Sequence, residues 1–196
     1  ASFGIMQPRI QRGIHLLFLL PVAFLLFPAG RRSPKHRPSV PDLFLAGLAL
    51  LPPLYVIIHN DALSMRLVFI DPVLPLEMLL GIVNIVLLLE GVRRAVVPAM
   101  AILIAAFFAY LYIAPYLPGV FYSKPPIITE IIEMQYLVSD AGIYGSITGV
   151  SATFVALFVI FGAFMENTRT GQFFTDLACL LAGKSSGGPA KIAVIS

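Results

Sequence analysis

The sequence predicts an all-α, polytopic membrane protein with about five transmembrane helices plus interfacial helices. Three observations predict it. Residues 95–117 and 141–165 are apolar runs of 23 and 25 residues without a charge, and a hydrocarbon core of roughly 30 Å needs about 20 helical residues. Only 12% of the 196 residues are charged and 59% are hydrophobic, with a mean hydropathy of +0.93. A soluble domain carries about 25% charged residues, and one soluble core of this size cannot hold the excess apolar surface. Finally, the chain has 15 Gly and 16 Pro, and its Lys and Arg cluster between the apolar runs, as in helical membrane proteins.

The first span is predicted over about residues 14–29, kinked at Pro21. It follows Arg9 and Arg12 as the apolar part of a signal peptide would. Its exit, Pro28-Ala29-Gly30-Arg31-Arg32, is too basic for a cleavage site and predicts a retained helix. A basic loop follows, with Arg31, Arg32, Lys35 and Arg37. The second span, about 43–58, is expected to bend or break at Pro52-Pro53. Residues 62–70 are too few to span and are expected at the surface. Asp71-Pro72 predicts a helix start, with Asp as N-cap and Pro in the first turn. The third span then covers about 73–89, a tight turn covers 90–94, and the fourth span is 95–117.

Residues 118–126 are bracketed by Pro118-Gly119 and Pro125-Pro126. Beyond them Ile127, Ile128, Ile131, Met134 and Val138 fall on one helical arc, opposite Thr129, Glu130 and Glu133. That pattern predicts an amphipathic helix lying in the interface on the outer side. The fifth span is 141–165. Residues 172–182 are apolar but short and carry Asp176, which predicts an interfacial or re-entrant segment. Gly187-Gly188-Pro189 opens a further helix, and the chain ends inside a new apolar run, Ile192 to Ile195. The sequence is therefore expected to be an excerpt of a longer chain.

Counted across alternate loops, nine basic residues fall on one side and four on the other. The positive-inside rule then puts 31–37, 90–94 and the C-terminal segment in the cytoplasm. The N-terminus falls outside, which predicts a helix upstream.

Polar groups inside spans are the functional leads. Glu77 lies one turn from a helix start, where a carboxylate suits the helix dipole. Asn84 is deeper and is expected to hydrogen-bond to a neighbouring helix, with a substrate contact as the alternative. Glu90 pairs at i,i+3 and i,i+4 with Arg93 and Arg94, as a solvated anchor at the membrane edge or a contact to another domain. Gly145 and Gly149 form a GxxxG step that predicts close packing against another helix, or a helix break lining a site.

Other chemistry lacks its residues. Gly183-Lys184-Ser185 has the tail of a P-loop, but Ala178 stands where the first glycine belongs. His15, His36 and His59 are isolated and lack metal-ligand spacing. The single Cys179 forms no intrachain disulfide. No catalytic, metal or cofactor residue is assigned, no enzyme activity is expected, and the basic residues form topology signals rather than a nucleic-acid face.

Gly142-Ile143-Tyr144-Gly145, Gly149-Val150-Ser151-Ala152-Thr153, Phe161-Gly162-Ala163-Phe164 and Gly187-Gly188-Pro189-Ala190-Lys191 resemble the start of the large permease subunit of TRAP (tripartite ATP-independent periplasmic) transporters. The resemblance is to the TAXI-type fused permeases, in which small and large membrane subunits share a chain. Gln11-Arg12-Gly13-Ile14-His15 and Leu89-Glu90-Gly91-Val92-Arg93-Arg94 resemble the small-subunit part. The resemblance implies a small-subunit-like domain over 1–120 and the start of the large-subunit domain over 121–196. It implies a permease importing small organic solutes, of carboxylate type, in a bacterial or archaeal inner membrane. Sodium would be the coupling ion. The partners would be membrane lipid, an extracytoplasmic solute-binding protein and the remainder of the large subunit. Substrate-binding residues are expected beyond Ser196. The alternatives are a membrane scaffold or assembly protein, or a secondary transporter that uses no binding protein.

Overall fold

The computed structural model describes residues 6–28 and 39–182. Among them all regular structure is helical. Among the described residues, five stretches are long and apolar enough to cross a membrane: Pro8–Leu26, Val40–Ile58, Pro75–Ala95, Pro98–Tyr116 and Ser146–Asn167. The fold is that of an all-α polytopic membrane protein. The chain divides into two units, Ala1–Gly149 and Val150–Ser196.

In the first unit, helix α1 (Pro8–Leu26) keeps Pro21 buried within it. Helices α2 (Val40–Leu48) and α3 (Leu51–Ile58) form one apolar stretch interrupted at Ala49-Leu50. Pro52 and Pro53 follow at once, in the first turn of α3, where a missing N–H has no helical partner to lose. A short helix α4 (Asn60–Met65) precedes a loop that carries Arg66.

Helix α5 (Pro75–Ala95) starts later than Asp71-Pro72 suggested. The Asp71 carboxylate accepts the Leu67 N–H at 2.8 Å, so it closes the preceding loop and caps no helix. Glu77, at the third helical position, takes the N-cap Leu74 N–H at 2.9 Å. Asp42 does the same for Ser39 (3.2 Å), and Glu130 for Ile127 (3.0 Å). Three helices thus start on a carboxylate one turn in, where the orphan N–H groups and the dipole favour a negative charge. Residues 90–94, expected as a turn, are the last turns of α5. The reversal comes at Val96-Val97, where Pro98 holds the residue before it extended (Val97 φ −140°, ψ 134°). Helix α6 (Pro98–Ile113) follows and packs on α5.

The expected interfacial helix over 127–138 is built differently. Helix α7 (Ile128–Ile132) continues as a wide π turn, Glu133–Leu137. Ile132, Glu133, Tyr136 and Leu137 are buried against α5, while Ile127 and Ile128 are 64% and 52% exposed. Of the predicted apolar arc Ile127, Ile128 and Met134 are exposed and Ile131 and Val138 half-buried, while of the acidic arc Glu133 is buried. Two partners make this possible. Arg66 matches the Glu133 charge, and the Pro52 carbonyl accepts the Tyr136 hydroxyl at 2.9 Å. A buried polar group that is paired no longer demands the surface. Close seating on α5 needs Gly81, where a Cβ would stand 2.5 Å from Ile132 Cγ2.

Burial forms two clusters. Val56, Leu63, Leu80, Ile132, Tyr136, Leu137 and Tyr144 pack together. Leu20, Phe24, Ala46, Ala49 and Leu87 form the other. The first lies near the start of α5 and the second toward its end.

The stretch Ser146–Asn167 comprises helix α8 (Ser146–Val150), a π turn (Ser151–Val155) and helix α9 (Ala156–Asn167). None of its residues is buried. Phe154, Leu157, Phe158, Ile160 and Phe161 are all more than half exposed, as lipid- or partner-facing residues are. Helix α10 (Thr170–Ala182) follows a turn in which Arg169 takes a left-handed conformation (φ 57°).

Candidate functional site

The polar side chains of the first unit gather at the two ends of its helices. At one end the last turn of α1, the first turn of α2 and the last turn of α5 meet through Arg94. Its Nη1 donates to Asp42 Oδ1 at 2.6 Å and lies within 3.5 Å of the Phe27 carbonyl oxygen. Its Nε donates to Glu90 Oε1 at 2.6 Å, and the guanidinium sits 5.2 Å from the centre of the Phe24 ring. Both partners of the Arg94–Asp42 pair are buried, at 4% and 2% exposure. Arg93 also pairs with Glu90, at 2.7 Å, but is 43% exposed. The two arginines therefore differ: Arg93 is the solvated anchor, and Arg94 is an internal clasp. The basic loop 29–38 lies outside the described residues, but its flanks, Phe27 and Asp42, both reach Arg94.

At the other end Arg66 holds three segments. Nη1 donates to Glu77 Oε2 at 2.9 Å, Nε to Glu133 Oε1 at 3.3 Å, and Nη2 to the Asp71 carbonyl at 3.0 Å. Glu77 also accepts the Tyr55 hydroxyl (3.1 Å), and Glu133 the Phe69 N–H (3.1 Å). Phe69 is held in a left-handed conformation (φ 64°), which a bulky residue adopts only when its surroundings impose it. Nearby, Arg12 of α1 donates to the Tyr144 carbonyl at 2.7 Å and to the Ser139 carbonyl, and pairs with Asp140 at 3.3 Å.

These contacts fix helix directions. α1 and α5 both begin at the Arg66 end and finish at the Arg94 end. α2 and α3 run back between them.

Gly145 and Gly149 are set by that same Arg12 corner. A Cβ on Gly149 would lie 2.9 Å from Arg12 Nε, so this glycine makes room for a guanidinium rather than for a helix backbone. Gly145 is buried, and a Cβ there would meet its own chain, 2.9 Å from the Gly142 carbonyl oxygen. Gly142 has φ +58°, and a Cβ would collide with the backbone of Met134 and Gln135.

Asn84 is fully buried, and neither its amide oxygen nor its nitrogen is hydrogen-bonded among the described residues. The Tyr144 hydroxyl is near and equally unpaired. Burial pushes the Tyr144 phenol above its ordinary range, and the adjacent Asn84 amide offsets this only in part. Burial likewise raises the Tyr136 phenol. No group of three or more His, Cys, Asp or Glu able to hold a metal occurs among the described residues.

Residues 83–196 match the family described as the tripartite ATP-independent periplasmic transporter, DctM component. The chain belongs to that family. No curated protein and no solved structure matches it. As a DctM-type chain it is a component of a transporter, and its several apolar helices make it a multi-pass membrane protein. The family match covers Asn84, Glu90, Arg93, Arg94, Glu133, Gly145 and Gly149. It begins within α5, so Arg12, Arg66 and Glu77 precede it.

Arg66, Glu133, Asp42 and Arg12 were not singled out as site residues from the sequence. Arg66 did carry a signal, being the one charged residue in the otherwise apolar 62–70 stretch. A lone cation at a membrane edge with nearby carboxylates invites a pairing, but its partners are 11 and 67 residues away.

Proposed function

We propose that this chain is the membrane permease component of a sodium-coupled, binding-protein-dependent importer of small organic solutes, carboxylates in particular. The match of residues 83–196 to the DctM component carries the reading. We further propose the fused arrangement, with a small-subunit-like domain over 1–120 and the large-subunit domain from 121, in a bacterial or archaeal inner membrane. The match starts upstream of that division, inside α5.

In this reading the first unit is the fixed side against which a transporting bundle moves. Its two buried clasps suit that role, because each ties several helix ends through one guanidinium. The Arg94 end would face the cytoplasm and the Arg66 end would face the binding protein. Glu77, Glu90, Arg93, Arg94, Gly145 and Gly149 then serve to hold helices, and none of them is assigned to sodium or substrate.

The partner requirement is testable in vesicles holding the full-length permease. Adding the cognate purified binding protein, loaded with substrate, should start uptake. Uptake of free substrate at the same rate without the binding protein would refute this reading.

A further inference from the structure

Between α1, α4 and the end of the π turn lies a cavity of about 240 Å³, lined by Arg9, Ser64, Arg66, Glu133, Ser139 and Asp140 among others. It is smaller than the roughly 300–1,000 Å³ of sites for drug-sized ligands. Among the described residues, two of its charged groups are left incomplete.

Arg9 is 7% exposed, yet no carboxylate lies within ion-pair distance of it among the described residues. Its Nη1 makes two long hydrogen bonds, to the Asn60 carbonyl and Ser64 Oγ, both at 3.3 Å. Its Nε is buried without a partner. Asp140 acts on it across the cavity without touching it, and a nearly buried guanidinium with no counter-charge in contact is expensive. Glu133 shows the opposite deficit. It shares Arg66 with Glu77, so two carboxylates face one cation. Only its Oε1 accepts hydrogen bonds, and Oε2 takes none among the described residues. The cavity is therefore short of an anion beside Arg9 and of a cation beside Glu133, with Asp140 adding negative charge at the rim (its side chain is 83% exposed).

Arg9 stands in the first turn of a candidate membrane-crossing helix, Pro8–Leu26. A membrane-crossing Pro8–Leu26 would put its first turn, and with it this cavity, at the depth of the lipid head groups.

We propose that this cavity binds a zwitterionic group that carries a phosphate and a primary ammonium, the head-group chemistry of phosphatidylethanolamine. The phosphate would sit against Arg9 with Ser139, since the Ser64 hydroxyl already donates to the Asn60 carbonyl, and the ammonium would donate to Glu133 Oε2 beside Asp140, which also pairs with Arg12. A quaternary ammonium has no N–H to donate, and a glycerol head group has no positive charge. Both should bind less well.

Native mass spectrometry of the delipidated full-length permease, offered dioleoyl phosphatidylethanolamine, phosphatidylcholine or phosphatidylglycerol, tests this. Wild-type protein should retain the ethanolamine lipid about tenfold better than the other two, the size of one charged hydrogen bond. Arg9→Gln should lower retention of all three lipids, which share the phosphate, whereas Glu133→Gln should abolish the ethanolamine preference. Ser139→Leu, which fills the cavity and leaves Arg9 in place, should also lower retention of all three, which covers the case in which Arg9→Gln does not fold. A parallel arm uses free phosphoethanolamine. If it competes for the cavity with the same sensitivity to these variants, the chemistry is supported and the ligand is a soluble zwitterion. If only the lipid binds, the chemistry is supported and the source is the membrane. Equal retention of the three lipids by wild type, an ethanolamine preference that survives in Glu133→Gln, or unchanged retention in folded Arg9→Gln or Ser139→Leu, overturns the proposal.

Discussion

Arg94 and Asp42 stand 52 residues apart in sequence and meet at 2.6 Å, with both side chains almost completely buried. The contact joins the C-terminal turn of α5 to the N-terminal turn of α2, so each charge also sits at the helix end whose dipole favours it.

Removing one partner of such a pair leaves the other buried and unmatched, which costs about 3–5 kcal/mol. Arg94→Ala should therefore lower the melting temperature of the detergent-solubilised protein sharply, and Arg93→Ala should lower it little. The double variant Arg94→Met with Asp42→Leu should recover most of the loss. Equal effects of Arg93→Ala and Arg94→Ala would show that the buried clasp contributes nothing beyond a surface pair.

At the opposite end, Arg66 is the shared partner of two carboxylates that are each 3% exposed. Arg66→Met should destabilise more than Glu133→Gln, because it strands both acids, whereas the amide still accepts the Phe69 N–H. Protease sensitivity of the 66–74 loop reads the same difference locally. A milder effect for Arg66→Met than for Glu133→Gln would contradict the geometry.

Burial holds the Tyr136 and Tyr144 phenols above the ordinary value of 10.0. A raised pKa means that the folded state keeps its protons where the unfolded state loses them. This stabilisation is complete below pH about 10 and is lost as pH rises further. The wild type should lose stability above that pH more steeply than the double variant Tyr136→Phe with Tyr144→Phe. At neutral pH the double variant should be weaker by about 1 kcal/mol for the lost Pro52 hydrogen bond. Parallel alkaline curves for the two proteins would rule out buried phenols.

Gly149 opens the space that the Arg12 guanidinium fills. Gly149→Leu should lower the yield of folded protein far more than Leu157→Ala, since Leu157 is 65% exposed. Equal yields would place the Gly149 face away from any packed contact.

The spans were legible because length and charge density decide them, and the five candidate spans overlap those expected, with ends differing by up to six residues. Their ends were harder. Asp71-Pro72 has a good N-cap signature, yet Leu74 caps the helix because Glu77 reaches back to it. In 127–138 the exposed Ile127 and Ile128 suit a lipid-facing arc, but Glu133 lies inside, although an acidic residue normally seeks water. Here Glu133 has Arg66, and a long-range partner is invisible to periodicity. Pairings inside one helix, such as Glu90 with Arg93 and Arg94, follow from spacing. The Arg94–Asp42 and Arg12–Tyr144 contacts link residues 52 and 132 apart, and only the packed helices bring them together.

Helix directions also make the orientation testable. With Cys179 replaced by serine, Val97→Cys at the Arg94 end should resist a membrane-impermeant thiol reagent in intact cells. Lys124→Cys, in the loop that follows α6, should react. The reverse pattern would invert the orientation of every span.

Under the proposed function the sodium gradient is the sole energy source for uptake. Proteoliposomes of the full-length permease with its binding protein should accumulate a small organic carboxylate only under an inward sodium gradient, with ATP making no difference. Accumulation that persists without a sodium gradient, or that needs ATP, would contradict it.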